Sequence, residues 1–126
     1  MAVDDGVLWF LRTSEEDLGP VLVIRVEGRV SRATAAELGQ ALARPDPDRL
    51  RGVVVDLSGV DYVNGAGLSA FQAAAVRFAE SSCELVVCGI RPVVQTAFDL
   101  AGTIPHLSFE PARDAALRRL LDDGQR

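Results

Sequence analysis

The sequence predicts an α/β domain: a mixed sheet of four to five strands packed with about four helices. Three observations predict it. Apolar runs of strand length alternate with segments of helical spacing. The 126 residues are enough for one hydrophobic core. A hydrophobic content of 48% beside 25% charged residues is that of an ordinary folded protein. Residues 1–126 contain no repeat and no low-complexity tract, and read as a single domain.

The elements follow in order. "VLWFLRT" (7–13) and "VLVIRVEG" (21–28) are rich in β-branched and aromatic residues. The polar "SEEDLGP" between them predicts a hairpin turn. Thr34-Ala35-Ala36-Glu37 has the form of a capping box. The helix it opens is expected to run to about Ala43, with Leu38 and Leu42 on one face and "RPDPD" as its stop. Val53 to Leu57 is a nearly unbroken apolar run, suited to a strand covered on both faces. A short loop, "SGVDYVN", is expected next. Leu68, Phe71, Ala75 and Phe78 then recur at helical spacing, and "ELVVCG" forms another buried strand. Pro92 suits the first turn of a helix with Val94, Ala97, Phe98 and Ala101 inward and Gly102 at its end. A short strand in "IPHLSF" and a last helix after Pro111, carrying Leu117, Leu120 and Leu121, complete the order β-β-α-β-α-β-α-β-α.

Composition excludes several functions. The net charge is −5 and the pI about 4.8, which argues against binding nucleic acid, where Lys and Arg must neutralise phosphates. Every basic residue other than His106 is Arg, so neither a P-loop lysine nor a Schiff-base lysine exists. No apolar run approaches the length of a membrane span, and the acidic start "MAVDDGVLWF" is unlike a signal peptide; a cytoplasmic protein is expected. Cys83 and Cys88 make no disulfide framework and are expected to be inert packing residues on opposite faces. The lone His106 cannot form a metal cluster, and no nucleophile motif accompanies it. The runs Asp4-Asp5, Glu15-Glu16-Asp17 and Asp122-Asp123 read as solvated surface. No catalytic residue, cofactor or metal is predicted.

One motif demands a test. Gly65-Ala66-Gly67-Leu68-Ser69-Ala70 fits G-x-G-x-x-A, the glycine signature of a dinucleotide-binding turn. That motif must follow its strand directly and be answered about 20 residues later by an acid on the ribose. Here the strand is expected to end near Leu57, and Cys88-Gly89 stands where the acid belongs; Glu84 only begins that strand. The sequence therefore gives this stretch structural roles: Asn64 as a helix N-cap and Gly65 as a turn residue with positive φ.

In order along the chain stand Val53 to Leu57, Gly67-Leu68, Gly89-Ile90-Arg91-Pro92 and Phe98-Asp99-Leu100-Ala101-Gly102. Upstream lies "EGRVSRATAAEL". This set resembles the STAS domain of bacterial anti-sigma factor antagonists over roughly residues 7 to 120. The resemblance implies a binding module, not an enzyme, whose partner is a kinase-like anti-sigma factor; docking on it releases a sigma factor. The implied contact surface is Asn64, Gly65, Ala66 and Ser69, with Arg29, Ser31 and Arg32 beside it. The chain departs from the family at one place. Asp-Ser-Ser/Thr before Gly-Leu becomes Asn64-Gly65-Ala66, so the serine that a partner kinase phosphorylates falls on Gly65 and its neighbour on Ala66. Neither can carry a phosphate, and Ser58 and Ser69 do not match the motif position. A second reading is a STAS-type scaffold, sensor or transport-accessory module with no sigma-factor role. Identity of the stable partner separates the two.

Overall fold

The elements lie along residues 11–122, the part of the chain described by the computed structural model. They are β1 (Leu11–Asp17), β2 (Val21–Val30), α1 (Ala35–Ala43), β3 (Gly52–Val63), α2 (Gly65–Ala79), β4 (Glu84–Cys88), α3 (Pro92–Ala101), β5 (Leu107–Glu110) and α4 (Arg113–Asp122). This is the predicted order of elements. Residues 7–10 of the first expected strand lie outside the described residues.

The five strands form one sheet in the order β1-β2-β3-β4-β5, with β1 antiparallel to β2 and the rest parallel. Each β-α-β crossover steps one strand in the same direction. Right-handed crossovers then put α1, α2 and α3 on one face of the sheet. Strand alternation divides the core accordingly. Val53, Val55 and Leu57 of β3 join Leu38, Leu42, Phe71, Phe78, Val94 and Phe98 in the cluster under those helices. Val54 joins Val21, Val23, Val86 and Cys88 on the other face, covered by Ala116 and Leu120 of α4. The two-faced strand read from the apolar run is borne out.

α4 lies close to the sheet because Gly52 has no side chain. A Cβ there would stand 2.5 Å from Leu120 Cδ2. Polar contacts hold the helix down: Arg119 donates from Nε to Glu84 at 2.7 Å and from Nη1 to Glu110 at 3.1 Å, and Arg51 Nη1 donates to the Leu120 carbonyl at 3.1 Å. Arg113 pairs with Glu16 of β1.

Four local expectations are corrected. The first turn is shorter than expected, since Ser14 to Asp17 continue β1 in register with β2 and only Leu18-Gly19-Pro20 turns. "SGVDYV" is not a loop but the second half of β3, in which Val60 and Val63 stay buried. Register shifts between Arg25 and Glu27, and between Gly28 and Arg29, break the simple alternation there. Thr34 does not cap α1 with its side chain: its backbone is αR (φ −113°, ψ −3°), which aims the hydroxyl away from the first turn. On α3 and α4 the buried stripes are Val94 with Phe98 and Ala116 with Leu120, leaving Ala101 and Leu121 exposed.

Candidate docking site

At the C-terminal ends of β2 and β3 two chain segments meet. In the parallel register Arg29 faces Tyr62 and Val30 faces Val63. One residue on, the Asn64 N–H donates to the Val30 carbonyl at 3.0 Å, which joins the start of α2 to the end of β2. The turn after β2 is stiffened by Thr34. Its hydroxyl donates to the Arg29 carbonyl at 2.6 Å and accepts from the Ser31 N–H at 2.9 Å. The threonine expected to cap the helix thus ties the turn that carries Ser31 and Arg32 to Arg29 at the end of β2.

The start of α2 shows why the glycines are there. Asn64 is the N-cap, as expected, with extended backbone and Oδ1 accepting from Ala66 N–H at 3.1 Å and Gly67 N–H at 3.2 Å. Gly67 is a packing residue: a Cβ there would lie 2.5 Å from Val30 Cγ1 and 3.1 Å from Val63 Cγ1. Only a glycine lets α2 lie so close on β2 and β3. Gly65 is different. It is the first residue of the helix, it is exposed, and nothing stands within 4 Å of a Cβ built on it. It is not among the positive-φ glycines, which corrects the expectation of a left-handed turn residue. The chain reaches a helical conformation straight after Asn64 because β3 runs on to Val63 and leaves no loop to turn.

That same extension corrects one ground for setting the dinucleotide motif aside, since the glycines do follow their strand directly. The other ground holds. Glu84 stands at the start of β4, at the far end of the sheet, where Arg119 and the Ser108 hydroxyl bind it.

Of the residues singled out from the sequence, Arg29, Asn64, Gly65, Ala66 and Ser69 come together around this corner, with Arg32 exposed on the adjoining turn. Ser31 is 4% exposed and its hydroxyl lies against that of Thr34, so it shapes the turn instead of presenting a group outward. Sequence reasoning missed Tyr62, which is 39% exposed and carries the Arg29 guanidinium 4.5 Å above its ring. Its signal was hidden by reading residues 58–64 as loop. Aromatic and Arg side chains are the usual anchors of protein interfaces.

The corner offers surface and charge, not a nucleophile. The first turn of α2 holds no acid, and although Asn64 takes the Ala66 and Gly67 N–H groups, the helix dipole favours a negative neighbour there. Ser58 is exposed on β3, and its N–H donates to Asp56 Oδ1 at 2.9 Å. Cys83 and Cys88 are both buried, one in each core cluster. Burial pushes each thiol up to about 11; Asp56 adds to the effect at Cys88, and the nearby Arg77 and Arg113 guanidiniums oppose it at Cys83 and Cys88 respectively. His106 is exposed in the turn before β5 with φ 68°. No helix among the described residues is long and apolar enough to cross a membrane.

Comparison with known proteins gives four findings. Residues 14–103 match the family described as "Mlab, STAS domain". A Bordetella bronchiseptica protein named as an anti-sigma factor antagonist, BtrV, is 28% identical over 106 residues, covering 84% of this chain and 91% of its own. Among solved structures, an anti-sigma factor antagonist from Mycobacterium paratuberculosis superposes with a TM-score of 0.80 at 26% identity, over 90% of this chain and 97% of its own. The fold alone is shared with the murine anion transporter Slc26a9, at 14% identity and a TM-score of 0.78 over 96% of this chain and 24% of the transporter.

Proposed function

The chain belongs to the STAS domain family, and from that premise we propose that it is an anti-sigma factor antagonist. It docks on a kinase-like anti-sigma factor through the corner formed by Arg29, Arg32, Tyr62, Asn64, Gly65, Ala66 and Ser69, and so releases a sigma factor. The work is done by binding, and no bond is made or broken on this chain. Its relatives' names support the role. The observation that carries the local reading is the exposed start of α2, capped by Asn64 and bearing no hydroxyl at positions 65 and 66. An antagonist built this way stays unphosphorylated at that position and is not switched off by its partner's kinase activity.

The geometry sharpens the test. Because the backbone at Gly65 is helical and the space above it open, Gly65→Asp keeps the fold. A carboxylate in the first turn adds about 0.3–1 kcal/mol to the helix through the dipole. The same charge and bulk stand in the docking surface. A tagged pull-down from the source cells should recover a kinase-like anti-sigma factor with wild type and lose it with Gly65→Asp. Undiminished recovery with a folded Gly65→Asp would place docking elsewhere. With the purified kinase and ATP, Gly65→Ser should take up phosphate and wild type should not.

The missing hydroxyls also favour a second reading, a STAS scaffold, sensor or transport-accessory module that no longer serves a sigma factor. Recovery of a transporter subunit or a multidomain sensor in the same pull-down would select it.

A further inference from the structure

The guanidiniums of this chain are unevenly matched with acids. Eight of the twelve among the described residues bind a carboxylate or a backbone carbonyl. The four that bind neither there are Arg29, Arg32, Arg91 and Arg118. Three of these stand at one pole. Arg29 lies at the end of β2, Arg32 in the turn that follows, and Arg91 in the loop between β4 and α3. All three follow the C-terminal ends of parallel strands, the side of the sheet that carries the docking corner. The loop of Arg91 runs beside the second half of β3, since a Cβ on Gly89 would stand 3.2 Å from Ser58 Cβ. Arg118 is the exception. It lies on α4, two residues before the Leu120 that meets Gly52 at the other pole.

Arg29 is the best placed of the three. Tyr62 carries its guanidinium 4.5 Å above the ring, which fixes the cation at the surface without neutralising it. Beside it Arg12 and Arg25 share a single acid, Glu27. The starts of α2 and α3 face the same pole with no acid in their first turns, and add partial positive charge. Against these stand the exposed Asp61 and Glu37, of which Glu37 offsets the dipole of α1, the helix it begins. Asp56 is buried and accepts from the Ser58 N–H. The described residues therefore leave this pole positive, in a chain of net charge −5.

We propose that this pole recognises an acidic face on its protein partner, with Arg29 on Tyr62 as the anchor and Arg32 and Arg91 as flanking attractions. This rests on the reading of the corner as the docking surface, and it names the charge of what docks. A carboxylate can meet the planar guanidinium of Arg29 with two parallel hydrogen bonds. The flanking charges speed encounter and disfavour basic competitors.

The probe is the protein recovered by the pull-down, and the readout is its association and dissociation rates on the whole chain. Arg32→Glu and Arg91→Glu should each weaken binding about three- to tenfold, chiefly by slower association. Arg29→Glu should weaken it about tenfold or more and speed dissociation as well. Arg118→Glu makes the same change of charge at the other pole and should act less than about twofold. Tyr62→Ala should weaken binding about two- to fivefold, and Tyr62→Phe, which keeps the ring face, less than that. Raising salt from about 50 mM to about 500 mM should slow association about tenfold. An acid of the partner's contact face changed to Arg should restore binding to Arg29→Glu. Thermal unfolding checks that each variant is folded. Three reversals that act no more strongly than Arg118→Glu, or association indifferent to salt, would overturn the proposal. Loss of binding with Gly65→Asp but not with the reversals would overturn it too, and leave the docking reading standing. Binding that survives both Gly65→Asp and the reversals would overturn the two together, as would recovery of no stable partner. Recovery of a partner other than an anti-sigma factor would overturn that role, while the same variants still decide whether an acidic face docks here.

Discussion

Two alanine substitutions, two residues apart, should move stability in opposite directions. At Gly67 a Cβ would stand 2.5 Å from Val30 Cγ1, about 1 Å inside ordinary contact. Val30 is fully buried and its β-branched side chain has little rotamer freedom, so it cannot turn aside. Either α2 lifts or β2 bends, at a cost of about 1–3 kcal/mol. The gain in helix propensity from glycine to alanine offsets up to about 1 kcal/mol. A net loss of about 1–2 kcal/mol is expected. At Gly65 nothing lies within 4 Å and the backbone is helical, so alanine should stabilise by about 0.5 kcal/mol. For a chain of this length 1 kcal/mol is worth about 3–5 °C in Tm. Urea and thermal unfolding followed by circular dichroism should rank the proteins Gly65→Ala, wild type, Gly67→Ala, with the m-value unchanged. A double-mutant cycle with Val30→Ala should recover on the order of 1 kcal/mol of the Gly67→Ala loss. Equal stability of Gly67→Ala and wild type would refute the claim that the second glycine is a packing residue.

The remaining predictions concern the two core faces. Phe71 is fully buried with its ring 5.7 Å from that of Phe98, so Phe71→Ala should cost about 3–5 kcal/mol in urea unfolding. Arg119→Ala removes the contacts to Glu84 and Glu110, partly exposed pairs worth together about 1–2 kcal/mol. If they hold α4 down, alkylation of Cys88 beneath it should quicken about five- to thirtyfold while Cys83, on the other face, keeps its rate. Both thiols are raised from 9.0 to about 11, so the native state holds protons that the unfolded chain releases. Their contribution is complete below pH 9 and is lost as pH rises towards 11, on the order of 2 kcal/mol per thiol. Unfolding curves between pH 8 and 11 should show that slope, reduced in Cys83→Ala.

Element order and sheet type were legible because the apolar runs at 53–57 and 85–88 and the helical spacing of Leu68, Phe71, Ala75 and Phe78 are strong periodic signals. Asn64 was legible as a cap for the same local reason. What escaped depends on partners distant in sequence. The second half of β3 carries Ser58, Gly59 and Asp61, which locally favour a turn; pairing with β2 through two register shifts overrides them. With the strand extended, Tyr62 becomes an exposed aromatic beside Arg29 instead of a loop residue. Thr34 followed by Glu37 has the spacing of a capping box, but the Arg29 carbonyl competes for the hydroxyl and wins. The role of Gly67 could not be read locally at all, because it is set by the methyl groups of Val30 and Val63 on two other elements.

The direction of α4 has a practical consequence. It follows β5, whose last residue Glu110 lies level with Cys88 and Asp56, and runs back until Leu120 meets Gly52, so the described chain ends beside the first residue of β3, whereas Gly65 lies two residues past its last. A twelve-residue strand separates those poles, roughly 30–35 Å once its irregularities are allowed for. A fluorophore, biotin or fused reporter joined after Asp122 therefore hangs from the pole opposite the proposed docking corner. The same cargo attached at Leu11 itself, which pairs with Gly28 near the end of β2, would sit beside that proposed corner. Immobilised by the first route, the domain faces the solution correctly; by the second, it would report weak binding for reasons of attachment alone.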